Sequence, residues 1–489
     1  MARFPLAVRP LQVLAALTAL AAFLRFSTLG SQSYWYDEAV TVQLVRRSLS
    51  GMLRAIPGSE STPPLYYVLA WGWSRLFGTS DVGLRSLSAV FGTATVPAAY
   101  AAARVFVSRR SSLVAAALVA VSPFLVWYSQ EARAYAVFVF FGTLSLALMG
   151  RAARPGASRS LFWWALSAAL ALATHYFALF LVAPEAAWLL YRSVDRRTTV
   201  KAVAIVAAVA AALLPLAVHQ SRYTEHTAWI SGGGLGGRAA YLLHQLVIGA
   251  YPTSYIRPLI VAVPVVVILG LFRWTERTER DGALLALAFG IVAVGAPFAL
   301  ALVGDLFFGG RGDYFLFRNL IVATVPLTIA AAAVLGTGRA GKAGLLACAL
   351  VCSLLVAVSI EISRRPDLQR PDARAVAAVV RSPPGLRAIL LDPRTSLPLR
   401  LYLPRLEDFR QQGAYLNEID VVEETNNANS PQADRSPPPG FRRIETRHIV
   451  QGFTIVRLRS LRRRRVTAAD LSAEFPNPRF LTILLAPRN

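Results

Sequence analysis

The sequence is poor in charge, in cysteine and in lysine. Only 16% of its 489 residues are charged, compared with roughly 25% in soluble domains, whereas 55% are apolar. This balance excludes a disordered chain and argues against an ordinary soluble enzyme. The 2 cysteines, Cys348 and Cys352, lie in one apolar run. A disulfide framework and a cysteine-type zinc site are therefore excluded.

Long apolar runs occupy most of the chain before residue 361. A helix needs about 20 apolar residues to cross the roughly 30 Å hydrocarbon layer. We expect about eleven such helices between residues 11 and 360 on this criterion. The predicted fold class is an all-α polytopic membrane bundle, with interfacial helices in the first outer loop and a small C-terminal α/β domain outside the membrane.

Basic residues lie in short clusters between the apolar runs. The net charge is +24, and Lys201 and Lys342 are the two lysines. Because these clusters form no continuous patch, we exclude nucleic acid as a partner. One set of alternate connections, counted together with the span ends that flank them, carries 17 Lys and Arg, and the short opposite connections carry Arg133. The positive-inside rule then predicts a cytoplasmic-membrane protein with a cytoplasmic N-terminus.

The composition changes near residue 361. We predict a membrane domain over 1–360 and, given an odd number of spans, an extracytoplasmic α/β domain over 361–489. In that domain a helix over 372–381 and strands over 388–392 and 449–458 are expected. In the first outer loop, apolar residues at helical spacing over 39–56 predict an interfacial helix.

Two adjacent carboxylates, Asp37 and Glu38, follow the first span at the start of that helix. A helix N-terminus stabilises a carboxylate, so an ordinary N-terminal acid pair is one interpretation. The other is a general base, since a carboxylate can accept the proton of an attacking hydroxyl. The residues alone leave both open.

Several short motifs resemble the C-type glycosyltransferase superfamily. The resemblance is to its bacterial branch similar to protein mannosyltransferases and aminoarabinose transferases (glycosyltransferase family 39-like), and it covers about residues 10–360. Its strength lies in the order and spacing of the motifs relative to the spans. They are Asp37-Glu38, TPPLYY at 62–67, Phe77-Gly78, LRSLSA at 84–89, YSQEARAY at 128–135 and THY at 174–176.

The resemblance implies a glycosyltransferase at the outer membrane face. Its donor would be a polyprenyl-phosphate-linked sugar, its acceptor a lipid or glycan hydroxyl, and membrane lipids would surround it. Asp37 matches the catalytic base of such enzymes, and Glu38 would support orientation or a metal. Glu131 occupies the second outer loop, where the superfamily often has another acid.

Three basic side chains at outer span ends suit the donor phosphate. Arg133 and Arg318 are candidates because a guanidinium can grip two phosphate oxygens, although an interface arginine can also simply snorkel. His175 is the third candidate, with a satisfied turn histidine or a metal ligand as its alternatives. Glu185, inside the sixth span, must face the bundle interior, and we expect a structural role.

One departure from the family pattern concerns a metal. Aminoarabinose transferases carry Glu-Lys directly before the Pro-Pro pair, where this chain has Ser61 and Thr62. No cofactor is therefore certain: a divalent metal ion is possible, and its identity is unknown. The same departure argues against lipid A as the acceptor. A transporter or flippase, or a polymerase of lipid-linked saccharides, is the alternative function.

Overall fold

The computed structural model describes residues 10–153, 158–193, 195–223, 228–231, 234–250, 257–308, 313–381, 386–409, 412–424, 437–449, 452–474 and 482–486. The chain forms two compact units. Unit 1 contains residues 1–29 and 44–361, and unit 2 contains residues 30–43 and 362–489. A single boundary at residue 361 therefore does not describe the division, because residues 30–43 group with the C-terminal part of the chain.

As far as residue 364, the described residues form helices joined by short turns and 3-10 segments. Most belong to unit 1, whereas α2 begins in unit 2. They are α1 (Pro10–Phe26), α2 (Tyr36–Val45), α3 (Leu49–Ser59), α4 (Leu65–Phe77), α5 (Asp81–Phe106), α6 (Arg109–Val121), α7 (Pro123–Ser129), α8 (Tyr135–Ala152), α9 (Ser158–Thr174), α10 (Leu179–Arg192), α11 (Arg196–Gln220), α12 (Ala228–Ser231), α13 (Leu235–Ile248), α14 (Arg257–Trp274), α15 (Arg277–Phe308), α16 (Thr324–Gly336) and α17 (Gly341–Arg364).

Six helices in the described part of the chain are long and apolar enough to cross a membrane. The number is 7 if α6 and α7, which meet at a bend of 54°, form one span. Two shorter apolar helices, Pro10–Phe26 and Ile260–Trp274, fall below that length. A mostly helical bundle with apolar helices is thus confirmed, whereas the count of about eleven spans stays a prediction.

The one helix expected over 39–56 is in fact two helices, α2 and α3, and α4 follows them in the first loop. The chain breaks after α2 because Ser48 starts a new helix: its side chain accepts a hydrogen bond from the Gly51 amide at 3.1 Å. Serine is a preferred residue at this capping position. At the same break, the Trp71 indole donates to the Arg47 carbonyl at 3.0 Å, so this exposed turn is tied to α4.

A buried arginine holds together the break between α6 and α7. Pro123 has no amide hydrogen, so the helical partner of the Val119 carbonyl is missing. Arg25, fully buried on α1, donates to the carbonyls of Val119 at 3.3 Å and Ala120 at 2.9 Å. Its Nε also donates to the Ser129 hydroxyl at 3.3 Å. One side chain from α1 therefore satisfies polar groups on both helices at the break.

We predict that Arg25→Met destabilises the protein by about 2–5 kcal/mol, because each buried carbonyl left without a donor costs about 1–3 kcal/mol. Denaturant titration in detergent micelles measures this change. Arg54→Met is the matched control, since Arg54 is exposed and donates only within its own helix turn. Equal stability of the Arg25 and Arg54 variants would contradict the explanation.

Unit 2 contains a mixed sheet in the order β2-β6-β1-β3-β5-β4, in which β1 and β3 are parallel and the other pairs antiparallel. Helices pack on both faces, which explains why every residue of β1 is buried. The elements are α18 (Ala373–Arg381), β1 (Arg387–Leu391), α19 (Pro393–Tyr402), β2 (Glu407–Asp408), β3 (Ala414–Glu424), β4 (Arg442–Ile449), β5 (Phe453–Val466), α20 (Ala468–Glu474) and β6 (Thr482–Ala486).

The strand expected over 449–458 is in fact parts of two strands. Ile449 ends β4 and β5 begins at Phe453, so the apolar run is divided between two antiparallel strands, and residues 450–451 lie outside the described residues. The periodicity of side chains is the same in both strands, so it could not reveal where one strand ends and the next begins. The helix over 372–381 and the strand over 388–392 agree with α18 and β1 within one residue.

Candidate functional site

A buried ion pair in unit 1 joins the end of α3 to the turn before α8. The two Nη atoms of Arg133 donate to the two carboxylate oxygens of Glu60, each at 2.9 Å. Both residues are buried, and the Arg133 carbonyl accepts from the Ser88 hydroxyl at 3.3 Å. Such a bidentate pair fixes orientation as well as charge. The terminal nitrogens of Arg133, a predicted phosphate ligand, are thus both used by Glu60.

A chain of polar side chains surrounds this pair. The hydroxyl of the buried Tyr67 lies 3.3 Å from that of Thr62. Burial raises the pKa of Tyr67 well above its usual value, so the phenol keeps its proton. Gln220 donates to the Thr62 carbonyl at 3.2 Å and accepts from the Tyr176 hydroxyl at 2.8 Å. The start of α4 is therefore fixed by the end of α11.

His175 lies in the turn between α9 and α10, where it is buried. Its Nδ1 accepts from the Phe177 amide at 3.3 Å, and its ring stacks on Phe138 with centroids 4.7 Å apart. Burial, together with the positive charges of Arg133 and Arg318, lowers the pKa of His175 to about 3. The imidazole is neutral at physiological pH and carries its proton on Nε2, so it can donate one hydrogen bond but supplies no charge.

Arg318 lies in a 3-10 segment, Phe317–Ala323, and is half-buried. Its guanidinium carbon is 6.0 Å from the ring centroid of Tyr135 and 5.5 Å from that of Trp229. The residues before it are fixed by Arg238, which pairs with Asp313 and donates to the Phe315 carbonyl at 2.9 Å. A cation is thereby held among aromatic rings and remains partly accessible.

Glu131 is buried in the turn that leads to Arg133, and its carbonyl accepts from the Arg133 amide at 2.8 Å. Gln130 anchors this turn to the end of α1 by donating to the Leu24 carbonyl at 3.0 Å and the Thr28 hydroxyl at 2.7 Å. The YSQEARAY motif is therefore a rigid turn that presents Arg133 to Glu60.

Glu185 makes a separate buried cluster in the bundle. Its carboxylate accepts from the Ser145 hydroxyl at 3.0 Å and from the Trp164 indole at 2.8 Å. It faces the bundle interior, as the sequence predicted. Its donors are both neutral, and each of them belongs to a neighbouring helix, α8 or α9.

Asp37 and Glu38 belong to unit 2, in the first turn of α2. Asp37 is half-buried and Glu38 is buried. The Thr41 hydroxyl donates to the Asp37 carbonyl at 3.2 Å, and the Ala39 amide donates to the Trp35 carbonyl at 2.9 Å. The acid pair therefore lies at the start of a regular helix.

The described residues do not provide a donor set for a metal ion. No three His, Cys, Asp or Glu side chains converge anywhere in the described ranges. Glu60, the acid closest in sequence to the Pro-Pro pair, accepts from Arg133 through both oxygens.

The sequence analysis named Arg133, Arg318 and His175 as candidates but did not name Glu60, which Arg133 binds. An acid does precede the Pro-Pro pair, one position before Ser61. The family pattern has its acid within the two positions directly before the Pro-Pro pair, whereas the acid of this chain lies one position earlier, at Glu60. Its position after an amphipathic helix and before a proline pair was the available signal.

Residues 61–221 match the family described as dolichyl-phosphate-mannose-protein mannosyltransferase. Over this segment the chain is therefore similar to that glycosyltransferase family. The matched segment includes Thr62, Tyr67, Arg133, His175 and Gln220, which is most of the polar chain around the ion pair. No curated protein matches the sequence.

Solved structures with a related course of the chain include three glycosyltransferases. The Cupriavidus metallidurans ArnT bound to undecaprenyl phosphate has 12% identity and a TM-score of 0.49 over 91% of this chain and 97% of that one. The Archaeoglobus fulgidus oligosaccharyltransferase with Zn and sulfate has 15% identity and a TM-score of 0.46, over 76% of this chain and 56% of that one. The S. cerevisiae Pmt1-Pmt2 complex bound to its sugar donor has 19% identity and a TM-score of 0.34, over 46% of this chain and 34% of that one. The present chain thus spans 56% of the length of the oligosaccharyltransferase chain.

We predict that Glu60→Gln and Arg133→Met each destabilise the protein by about 3–5 kcal/mol, because each leaves a buried charge without its partner. The double variant should lose less than the sum, which a double-mutant cycle in micelles measures. The control cycle uses the exposed pair Arg365 and Asp367, whose side chains are 43% and 54% exposed and should couple by about 1 kcal/mol or less. Additive effects at Glu60 and Arg133 would contradict the pairing.

We predict that acid destabilises the protein through His175. Its pKa in the folded protein is about 3 and its ordinary value is 6.5, so the unfolded state binds more protons between these values. The free energy of unfolding therefore falls as the pH drops below 6.5, by about 2 kcal/mol at pH 5.

His175→Gln should remove this part of the pH dependence when unfolding is measured between pH 5 and 7.5. The control, His219→Gln, changes an exposed histidine and should leave the dependence as in wild type. If both variants keep the wild-type slope, His175 is not the titrating group.

Proposed function

We propose that the protein is an inverting membrane glycosyltransferase that takes its sugar from a polyprenyl-phosphate donor and transfers it to a hydroxyl of a lipid or glycan. The observation that carries this proposal is the buried site of unit 1, where Arg133 and Arg318 flank a neutral His175 within and beside the family-matched segment. The family description and the related ArnT structure name phosphate-linked or phosphate-bearing polyprenyl lipids for those proteins.

Arg318 is the residue best suited to the donor phosphate. It is partly accessible and held among aromatic rings, whereas the terminal nitrogens of Arg133 already bind Glu60. In this proposal Arg133 keeps the local potential positive and orients Glu60, and His175 donates one hydrogen bond from Nε2. Fixed cations of this kind stabilise the charge that builds on a departing phosphate.

The proposed reaction has one displacement at the anomeric carbon of the sugar. The acceptor oxygen forms a bond to that carbon while the bond to the phosphate oxygen breaks, and polyprenyl phosphate leaves with the electron pair. Asp37 accepts the proton of the acceptor hydroxyl, which is the role of a general base. Glu38 supports the orientation of the loop, and Glu131 is held as a structural acid of the turn before Arg133.

The proposed location is the cytoplasmic membrane, with the N-terminus inside and the chemistry on the outer face. The distribution of Lys and Arg supports this orientation. Lipid-linked sugars lie in the membrane with their head groups at its surface, so a site close to interfacial helices suits such a donor. Surrounding lipids and the lipid or glycan acceptor complete the set of proposed partners.

We predict that the purified protein releases sugar from one of a set of radiolabelled polyprenyl-phosphate donors carrying mannose, glucose, arabinofuranose or N-acetylhexosamine, when membrane lipid and glycan extract supplies acceptors. Asp37→Asn should reduce kcat by about 100-fold or more, the size expected for loss of a general base. Arg318→Gln should raise the KM for the donor about 10-fold or more, since a charged hydrogen bond to phosphate contributes about 1.5–3 kcal/mol.

The control for the acid is Asp81→Asn, which changes another aspartate in the first turn of a helix. It should keep wild-type kcat if Asp37 acts as a base and not as a helix-terminal acid. Wild-type activity of Asp37→Asn would contradict the assignment of the base. Movement of an intact lipid-linked sugar across a bilayer without its cleavage would favour the transporter alternative.

A further inference from the structure

We infer that the C-terminal part of unit 2 positions the acid pair of the first loop, and that Tyr402 and Ser33 are positioning residues for Asp37. The inference rests on the proposed function of Asp37 as the base. It assigns a role to residues 362–489, which group with residues 30–43 in unit 2. The observation behind it is a set of hydrogen bonds between positions that are more than 330 residues apart in sequence.

Ser33 caps α18, which lies about 340 residues later in the sequence. Its hydroxyl accepts from the Ala373 amide at 3.0 Å, and Ala373 is the first residue of α18. The first amides of a helix have no partner within it, so a hydroxyl at this place is stabilising. Gln32 adds a second tie, because its side-chain oxygen accepts from the Arg370 amide at 3.1 Å.

Tyr402 holds the residue that leads into α2. Its hydroxyl accepts from the Tyr34 amide at 2.8 Å, and Tyr34 is buried only three positions before Asp37. Arg370 lies over the indole of Trp35, with its guanidinium carbon 3.7 Å from the ring centroid. Two adjacent residues before the acid pair are therefore fixed from the C-terminal part of the unit, one by a hydrogen bond and one by a cation–π contact.

Arg374 completes the clamp on the loop backbone. Its guanidinium donates to the carbonyls of Gly30 and Gln32, each at 3.3 Å. The same guanidinium lies 5.6 Å from the ring of Tyr402. The side chains that hold the loop thus also contact one another, so they act as one support.

This support is itself anchored in the sheet. Arg457, on β5, donates to the Val379 carbonyl of α18 at 3.1 Å and to both oxygens of the fully buried Asp420. Val376 and Val380 of α18 belong to an apolar core that also contains residues of β1, β3 and β5. The loop is therefore connected, through α18, to the buried core of unit 2.

A general base has to be held close to its reacting geometry, because a displacement of about 1 Å can reduce a rate roughly 100-fold. A loop that ends in a helix of 10 residues has little intrinsic stability by itself. We therefore expect the contacts from α18 and α19 to determine where Asp37 lies and how much it moves.

The test is Tyr402→Phe in the full-length protein, which removes the hydroxyl but keeps the ring. Two quantities are measured: kcat and KM for the donor that wild type consumes, and hydrogen exchange of the amides of residues 34–41. We expect kcat to fall about 10-fold, donor KM to change less than 2-fold, and exchange in 34–41 to rise. Ser33→Ala should act in the same direction through the other end of the support.

Tyr415→Phe is the matched control. Tyr415 is a tyrosine of the same unit on β3, with 63% of its surface exposed, and its variant should match wild type in both measurements. Unchanged kcat and unchanged exchange in both Tyr402→Phe and Ser33→Ala would overturn the inference. Faster exchange of residues 34–41 in these variants with wild-type kcat would also overturn it, provided that Asp37→Asn is inactive.

The two proposals can fail separately. If Asp37→Asn retains wild-type activity, the base assignment fails, and the positioning of a catalytic residue falls with it, whatever the exchange shows. If Asp37→Asn is inactive while Tyr402→Phe loses kcat and donor affinity together with global stability, the effect is structural and the inference is overturned.

Discussion

A charged or polar side chain that is buried away from water has to be paired by other groups of the protein, and this requirement shapes both units. Arg25 satisfies carbonyls where Pro123 breaks a helix, and Arg133 binds Glu60 through both nitrogens. In unit 2, Asp420 is fully buried between arginines. The cost of leaving any such group alone exceeds a typical single stabilising contact, so each one fixes the position of at least two elements.

The same requirement separates the roles of the two arginines in unit 1. Arg133 is paired with an internal partner, and its charge adds to the effect of burial in lowering the pKa of the adjacent His175. Arg318 is held by its backbone and by aromatic neighbours and is more accessible. A positive region that contains a neutral histidine favours an anion. The imidazole can donate a hydrogen bond to that anion but does not transfer its proton to it. This is the electrostatic setting that a phosphate leaving group needs.

Much of this could be predicted from the sequence because it is local or periodic. Apolar runs predicted the helices, and a short continuous apolar run predicted β1. Short motifs predicted Arg133 and His175 as candidates for the same donor phosphate. Glu60 was missed because a single acid between a helix and a proline pair has no periodic signal. The break after α2 was missed because one serine decides it, and the apolar spacing continues on both sides.

The sequence by itself determined the class of the protein: a helical bundle with apolar helices and a small mixed sheet, because composition and periodicity reflect the solvent that each face meets. Only the tertiary structure decided that Glu60 pairs with Arg133 and that Asp37 belongs with the C-terminal part of the chain. The physical reason is that hydrogen bonds such as that from the Tyr34 amide to Tyr402 join positions that are distant in sequence. Pairing of this kind depends on which elements pack together, and no local pattern encodes it.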